Sequence, residues 1–218
     1  MDSAYSEVDM AEPSTPLVPN GTTATTFADA HSLYPRGLEP DREELIPGLE
    51  VTVPSINLLF KRWRGKPIKD DFGGKPVVDY EGRPVFAEIA IVRTAVKAGW
   101  SAFWQQAYPL RQSGPYYYYA DWKEDRVRKD QTAASSLGSS YHQDLQARIA
   151  EYNSNSFRGC WDIIAWNGEG RRRTLYIKSK QSKKDSIRDN QVRWFSACLS
   201  AGLKKKENFL VAQWRFDD

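Results

Sequence analysis

Hydrophobic and polar positions divide this chain into a part without periodicity and a part with it. Residues 1–48 are rich in Ser, Thr, Pro, Ala and acidic side chains and show almost no hydrophobic periodicity. Such a segment cannot bury enough apolar surface to offset the entropy lost on ordering, so we predict a disordered acidic tail there. Residues 49–84 hold one apolar cluster followed by Gly-Lys-Pro and Glu-Gly-Arg-Pro turns, which predict an accessory region of loops and short hairpins.

Residues 85–218 show the clearest periodicity, and we predict one principal domain here. Pro84 and Gly99 flank the first helical pattern, which is a sensible start and stop for a helix. Helices mixed with a short central sheet give an α/β sandwich. The predicted elements are helices at 85–98, 142–152 and 187–201, and strands at 100–108, 116–122, 157–166, 174–180 and 208–216.

Three polar residues stand where the apolar pattern points inward. Asp162 lies in a predicted strand rich in Trp and Ile, where a carboxylate costs free energy unless a cation or a metal lies beside it. Glu88 shares a helical stripe with Ile91 and Val92, so its carboxylate also needs a partner, which a structural ion pair would supply. Gln191 lies on the inward face of the predicted helix 187–201. Asp162, Gln191 and the lysines Lys178 and Lys180 at the end of the next predicted strand are expected to meet at one end of a sheet.

Charge is distributed very unevenly along the 218 residues, although the net charge is only +3. Residues 1–50 carry ten Asp or Glu and two Arg, whereas residues 171–206 carry twelve Lys or Arg and two Asp. Such a basic stretch is typical of a protein with a phosphate-rich partner, or else of a solvated helical face. The tyrosine run 116–119 either stacks on bases or forms a half-buried strand. The candidate nucleic-acid-binding residues are Arg171, Arg172, Arg173, Lys183, Lys184 and Arg188, together with Lys204 to Lys206.

Other classes of protein are disfavoured by what the sequence contains. Cys160 and Cys198 lie in apolar-patterned elements, which fits small buried thiols in a reducing cytoplasm. The chain has two histidines and no CxxC pair, so zinc binding is not indicated, and the isolated His142 is expected to be a surface or hydrogen-bonded histidine and not a catalyst. No apolar run reaches about 18 residues and the first twenty residues lack the features of a signal peptide. We therefore expect a soluble cytoplasmic protein.

The inward polar residues have the chemistry that phosphodiester cleavage needs. Cleavage requires a nucleophilic water, neutralisation of developing charge and support for the leaving oxygen, which carboxylate-bound Mg²⁺ or Mn²⁺ supplies. A lysine beside the metal orients the water or stabilises the charge. Glu88 and Asp162 suit the metal, and Lys180 suits the water. Gln191, one helix later, suits the positioning of the phosphate or the water.

The order of these residues carries a family resemblance. A helix with Glu88 precedes a strand with Asp162, a strand ending in Lys178-Ser179-Lys180 and a helix with Gln191. From residue 85 to about residue 214 the chain resembles the PD-(D/E)XK nuclease superfamily, most of all its VRR-NUC-type branch. This resemblance implies a restriction-endonuclease-like core, in which a mixed four-stranded sheet is flanked by helices, with one or two divalent metals and DNA as substrate. By position it implies the helix glutamate for Glu88, the metal-binding aspartate for Asp162, the catalytic lysine for Lys180 and the following glutamine for Gln191.

One position departs from the family pattern. The pattern has an acid two residues before the catalytic lysine, and this chain has Lys178 there, with no Asp or Glu between Gly170 and Gln181. An ammonium group at that position would repel a cation and could pair with Asp162 in the place of the metal. Lys178 is then an inactivating substitution, or the mark of a naturally silent DNA-binding relative, or a change that Glu88 and Asp162 tolerate because they suffice as ligands.

Three functional hypotheses follow. The first is a metal-dependent deoxyribonuclease whose activity Lys178 places in question, and for which a homodimer is attractive because two strands need two sites. The second is a non-cleaving DNA-binding module on the same scaffold, with the steep salt dependence that phosphate contacts bring. The third is an interaction protein in which these residues are structural, but it leaves Asp162 and Glu88 without a reason to be buried.

Overall fold

The chain folds around one mixed β-sheet with helices packed on both of its faces. The structure, a computed structural model, describes residues 33–106, 116–168 and 173–217. It is an α/β fold, in agreement with the prediction. No helix in these three ranges is long and apolar enough to cross a membrane.

The elements between residues 85 and 217 follow the predicted order, and their described bounds shift by at most three residues, except that the strand predicted at 157–166 begins only at Ile163. Helix α1 begins after Phe86 and ends before Gly99, whose φ of +80° allows the chain to turn away. Asp162 was expected inside a strand but lies one residue before it. The strands are β1 (Arg42–Ile46), β2 (Val51–Arg62), β3 (Val77–Tyr80), β4 (Arg83–Phe86), β5 (Ser101–Gln106), β6 (Tyr117–Tyr119), β7 (Ile163–Asn167), β8 (Arg173–Gln181) and β9 (Phe209–Phe216), and the α-helices are α1 (Ala87–Lys97), α2 (Ser140–Tyr152) and α3 (Asp189–Ser200).

The sheet is larger than the sequence predicts. Its strands follow the order β4-β3-β2-β9-β8-β7-β5-β6, and β1 also pairs with β2. Strands β5, β7 and β8 are mutually antiparallel, whereas β9 pairs in parallel with both β8 and β2. The described residues therefore form nine strands, where the resemblance implied four.

Strand β2 accounts for most of this difference. The sequence predicts loops and short hairpins over residues 49–84, and the hairpin of β3 and β4 agrees, but Val51–Arg62 forms a twelve-residue strand. Its apolar pattern is interrupted by Pro54 and Ser55, which obscures the alternation of a strand. Its partner is distant, because Ser55 pairs with Val211, 156 positions later in the chain. Local periodicity carries no information about such a pairing.

Residues 33–48 were predicted to belong to a disordered tail, but the structure places them in the fold. Residues 1–32 lie outside the described residues, but the remainder of the predicted disordered tail is packed. Leu38 and Ile46 are fully buried, and β1 forms an antiparallel ladder with β2. The predicted boundary between the accessory region and the nuclease-like domain, at residue 84, falls inside β4.

Each face of the sheet has its own aromatic core. On the α1 face, Trp104 and Trp122 pack with ring centroids 5.8 Å apart, and on the face of α2 and α3, Trp161 stacks on Phe195 at 5.6 Å. Burying a large apolar side chain stabilises the fold by roughly 1.5–3 kcal/mol, so these clusters hold the helices firmly on the sheet. The tyrosine run contributes three buried rings, at Tyr116, Tyr118 and Tyr119, which confirms the strand interpretation of this segment. Both cysteines are free thiols, with Cys198 buried and Cys160 partly exposed.

His142 is fully buried in the core beneath α2. Its Nε2 lies 3.1 Å from Thr174 Oγ1, and its Nδ1 has no hydrogen-bond partner among the described residues. Burial lowers the pKa of His142 from 6.5 to about 4, because the charged ring would lose its hydration. The residue is therefore a hydrogen-bonded core histidine, as expected for an isolated His in this sequence.

This buried histidine predicts a loss of stability in mild acid. The unfolded chain takes up a proton at His142 near pH 6.5, whereas the folded chain does so only near pH 4, so stability is full above pH 6.5 and falls between these values. When the pH is lowered from 7 to 5, we expect protonation of His142 in the unfolded chain to reduce the free energy of unfolding by about 2 kcal/mol. Urea unfolding of the wild type and of His142→Gln at both pH values measures this change in the free energy of unfolding. Parallel pH profiles for the two proteins would contradict the assignment.

Candidate functional site

Asp162 lies at a fork where strands β7 and β8 separate. The last residue pair of the ladder between these strands is Ile163 with Ile177. Two residues further along β8, the backbone N–H of Ser179 donates to the side chain of Asp162, at 2.8 Å from Oδ2, and not to the backbone of β7. The backbone of Asp162 remains tied to the sheet, because its carbonyl accepts from Gln105 N–H at 2.8 Å. The carboxylate is thus held where the sheet opens, with its side chain 18% exposed.

Lys178 is the cation beside this carboxylate. Its Nζ donates to Asp162 Oδ2 at 2.9 Å and to the carbonyl of Ser179 at 3.0 Å, and it lies 3.6 Å from Asp185 Oδ2. The side chain is only 6% exposed. Burial by itself opposes its charge, but Asp162 and Asp185 outweigh this effect and raise the pKa of Lys178 above its ordinary value. The ion pair between Lys178 and Asp162 that the sequence suggested is therefore present, and the ammonium stays protonated at neutral pH.

Glu88 forms a second ion pair, with Lys75, whose side chain is 30% exposed. Glu88 stands in the first turn of α1, 8% exposed, and its Oε1 accepts a short hydrogen bond from Lys75 Nζ. Burial works against the charge of Lys75, but Glu88 and then Asp162 outweigh it and raise the pKa of Lys75. The sequence required a cationic partner for Glu88 but could not identify it, because Lys75 lies in a glycine-rich turn among several other lysines and arginines.

These two pairs form one electrostatic unit, which we call the buried charge cluster: Lys75, Glu88, Asp162 and Lys178. The pKa of Lys75 responds to Asp162 and Lys178 as well as to Glu88, and that of Lys178 responds to Glu88, so the two pairs lie close together. Two carboxylates face two ammonium groups, which leaves the cluster without net charge. Balanced pairing satisfies each buried ion, whereas an unpaired ion would be costly.

Lys180 and Gln191 have other partners in this structure. Lys180 forms a close ion pair with Glu44 of β1, which lies in the segment predicted to be a disordered tail. Gln191 lies half-buried in the first turn of α3, where its Oε1 accepts from the backbone N–H of Arg188 at 3.1 Å. Since residues two apart in a strand share a face, Lys180 and Lys178 are on the same side of β8. The structure thus gathers Glu88, Asp162 and Lys178, whereas Lys180 pairs with Glu44 and Gln191 bonds to the backbone at the start of α3.

The arrangement does not fit a bound Mg²⁺ or Mn²⁺ as it stands. Such ions need several oxygen ligands free of competing cations. Asp162 Oδ2 already accepts from Lys178 and from Ser179 N–H, and Glu88 accepts from Lys75. Within the three described ranges, no group of three or more His, Cys, Asp or Glu side chains is placed to hold a metal ion. The negative charges of these two carboxylates are matched by Lys75 and Lys178.

The basic residues fall at two ends of the sheet. Lys183, Lys184 and Arg188 are exposed in the loop between β8 and α3, here called the basic loop (residues 182–188), which also supplies Asp185 to the contact with Lys178. Arg173 begins β8 and so lies roughly 26 Å away along the nine-residue strand. The segment with Lys204 to Lys206 precedes β9, which is parallel to β8, and it belongs to that distant end too. Arg171 and Arg172 lie outside the described residues.

A scan against protein-family models finds no match, and neither does a search of curated proteins or of solved structures.

Proposed function

We propose that this protein binds DNA through a PD-(D/E)XK nuclease-type scaffold and does not cleave it, because Lys178 takes the place of a metal ion. The observation that carries the proposal is the 2.9 Å ion pair of Lys178 and Asp162 at the fork of β7 and β8. A carboxylate at a sheet fork suits metal binding, and an ammonium group pairs with it here. DNA as the ligand comes from the resemblance and from the exposed basic loop.

The order of elements supports the scaffold. The family resemblance implies a helix with a glutamate, three strands, a second helix and a final strand. Elements α1, β5, β7, β8, α3 and β9 follow in that order, with β6 and α2 inserted between β5 and β7. Strands β5, β7, β8 and β9 are consecutive neighbours in the sheet and include both antiparallel and parallel pairs. The remaining strands extend this unit on either side.

The protonated lysines explain why cleavage is not expected. Hydrolysis needs an activated water and a group that neutralises the developing charge on the phosphate. Lys75 and Lys178 both have raised pKa values, so neither can accept a proton from water near neutral pH. Their charges are paired with Glu88 and Asp162, and Lys180, which the resemblance assigns to catalysis, is paired with Glu44.

The basic loop provides the contacts to DNA. Lys183, Lys184 and Arg188 are exposed, and no ion pair neutralises them among the described residues. Phosphate contacts of this kind release counterions, which makes the affinity depend steeply on salt. Because the loop directly follows β8, it would hold the phosphate backbone beside the buried charge cluster.

Binding to a fluorescent duplex at several salt concentrations tests this function. We expect the wild type to bind with a steep salt dependence, and Lys183→Glu/Lys184→Glu to bind about 10-fold or more weakly with a slope of log affinity against log salt reduced by about 2. The matched control is Lys204→Glu/Lys205→Glu, which makes the same charge change at the distant end and should retain most of the affinity. Salt-independent binding, or an equal loss in the control, would contradict the proposal.

A metal-dependent nuclease is the second candidate, and one observation favours it. Glu88 and Asp162, which the resemblance assigns to the metal, are both buried and both act on the pKa of Lys75, so the two carboxylates share one site. Nicking of supercoiled plasmid by the wild type in Mg²⁺ or Mn²⁺, abolished by EDTA and by Asp162→Asn, would establish this activity. If the wild type neither nicks nor binds DNA, the interaction-protein hypothesis takes precedence.

A further inference from the structure

A polar cleft lies between the end of α2, the loop that follows it and one face of α3. Its volume is about 680 Å³, which is the size of a pocket for a small organic ligand. The cleft is separate from the buried charge cluster, and its lining shares no residue with it. Its polar lining includes Tyr152, Asn153, Arg158, Asn190, Arg193 and Ser196.

The chemistry of the lining suits a nucleotide strand. Two arginines and no carboxylate line the cleft, so it attracts anions. Guanidinium groups bind phosphate with two parallel hydrogen bonds, and the Asn and Ser side chains add neutral donors and acceptors. Tyr152 is 58% exposed at the rim, where its ring can stack on a base whatever the base is. Proteins that bind unpaired strands commonly combine basic side chains with exposed aromatic rings, and this cleft has both.

The walls of the cleft are built rigidly against α3. Asn153 Nδ2 donates to the carbonyls of Ser156 at 2.6 Å and Arg158 at 3.0 Å, which closes the loop on itself. Gly159 has a φ of +84°, and a Cβ there would lie 2.1 Å from the carbonyl oxygen of Asn190. The loop can approach the start of α3 this closely only because residue 159 is glycine. The cleft is therefore preformed, which reduces the entropy lost on binding.

The cleft also borders the elements of the proposed DNA surface. Gly159 precedes Asp162 by three residues, and Asn190 follows Arg188 of the basic loop by two. A DNA molecule held by the basic loop would thus have a second anion-binding site within reach along α3. A volume of this size admits one or two unpaired nucleotides and not a duplex.

We infer that this cleft binds a short single-stranded segment of DNA, with Arg193 on a phosphate and Tyr152 stacked on a base. The inference rests on the proposed function, since it adds a site for an unpaired strand to a protein that binds DNA at its basic loop. Such a protein would favour substrates that have a single-stranded segment next to a duplex.

Fluorescence anisotropy with a single-stranded oligonucleotide, a duplex, and a duplex with a single-stranded overhang tests the inference. We expect Tyr152→Ala to weaken binding of the single strand and of the overhang substrate by about 5–30-fold. Arg193→Ala should weaken it about 5-fold and reduce the salt slope by about 0.7, because one phosphate contact is lost. Duplex affinity should change less than about twofold in both variants, since the duplex remains on the basic loop.

The controls lie on α2 outside the cleft. Tyr141→Ala and Arg148→Ala make the same chemical changes at exposed positions, and they should leave every affinity unchanged. Circular dichroism and thermal unfolding confirm that each variant is folded. Equal losses in variants and controls, or no loss in either cleft variant, would overturn the inference. Displacement of the strand by millimolar deoxynucleoside monophosphate would overturn it in favour of a free nucleotide.

The experiment separates the two levels of the proposal. If the wild type binds the plain duplex with the expected salt slope, and the basic-loop variant is impaired while the cleft variants are not, the inference fails and the proposed function stands. If the wild type binds none of the three DNA substrates, the proposed function fails together with the inference.

Discussion

Replacing Lys178 with glutamate is expected to lower the midpoint of thermal unfolding by about 10 °C in EDTA, and millimolar Mg²⁺ or Mn²⁺ should restore most of this loss. Removing one partner of a buried ion pair costs about 3–5 kcal/mol, and for a chain of this size each kcal/mol corresponds to about 2–4 °C. The new carboxylate would lie beside Asp162 and Asp185, since Lys178 Nζ is 2.9 Å and 3.6 Å from their oxygens. Like charges at this distance repel, which adds to the loss.

The recovery in metal follows from the ligands that this substitution creates. Glutamate at position 178 would complete a set of carboxylate oxygens at the fork, which is the ligand type that Mg²⁺ and Mn²⁺ prefer. A ligand that binds only the folded state at about 100 times its Kd stabilises by about 2.7 kcal/mol. Differential scanning fluorimetry measures both effects, and nicking of supercoiled plasmid by the variant gives a second readout.

Lys178→Met is the matched control for this prediction. It removes the same ammonium group and has a side chain of similar length, but it adds no carboxylate. We expect a comparable loss in EDTA and a much smaller response to metal. If the methionine variant or the wild type gains as much from Mg²⁺ as the glutamate variant does, Lys178 does not stand in the place of a metal.

The local parts of this structure could be predicted from the sequence because periodicity decides them. Strand β8 and helix α3 differ from prediction by one or two residues, since their apolar positions recur at the spacing of a strand and of a helix. Burying a lone charge is costly, so the sequence predicted that Asp162 needs a cation and that Lys178 could supply it. Such statements require only the residue type and its place in an element.

The parts that could not be predicted depend on contacts between distant segments. Lys75, which pairs with Glu88, lies in a loop thirteen residues before it in the sequence. Glu44 and Lys180, which also form an ion pair, are 136 positions apart. Neither carries a local signal, because a lysine in a turn and a glutamate in an acidic stretch are ordinarily solvated. Gln191 was placed inward by helical spacing, but in the first turn of α3 its side chain accepts from the Arg188 N–H, which the helix itself leaves unpaired.

Asp162→Asn is expected to lower the free energy of unfolding by about 3–5 kcal/mol, because it leaves the ammonium of Lys178 buried without its main partner. The amide can still accept the Ser179 N–H that now donates at 2.8 Å, so the loss reports mainly on the charge. Lys178 would retain the carbonyl of Ser179 at 3.0 Å and its longer ion pair with Asp185 at 3.6 Å, which compensate only in part for the lost pair at 2.9 Å. Urea unfolding with equal m-values in the wild type and the variant measures the difference.

The double variant Asp162→Asn/Lys178→Met decides what the ion pair does for the protein. Replacing both partners of a buried pair with neutral groups of similar size is often close to neutral, so the double variant should be at least about 2 kcal/mol more stable than the sum of the single losses predicts. It should also bind duplex DNA like the wild type, because the exposed Lys183 and Lys184 of the basic loop are unchanged. Strictly additive losses would show that the two side chains do not interact in solution. A double variant that is stable but no longer binds DNA would give the buried charge cluster a direct part in recognition, which a purely internal pairing of Lys178 and Asp162 does not predict.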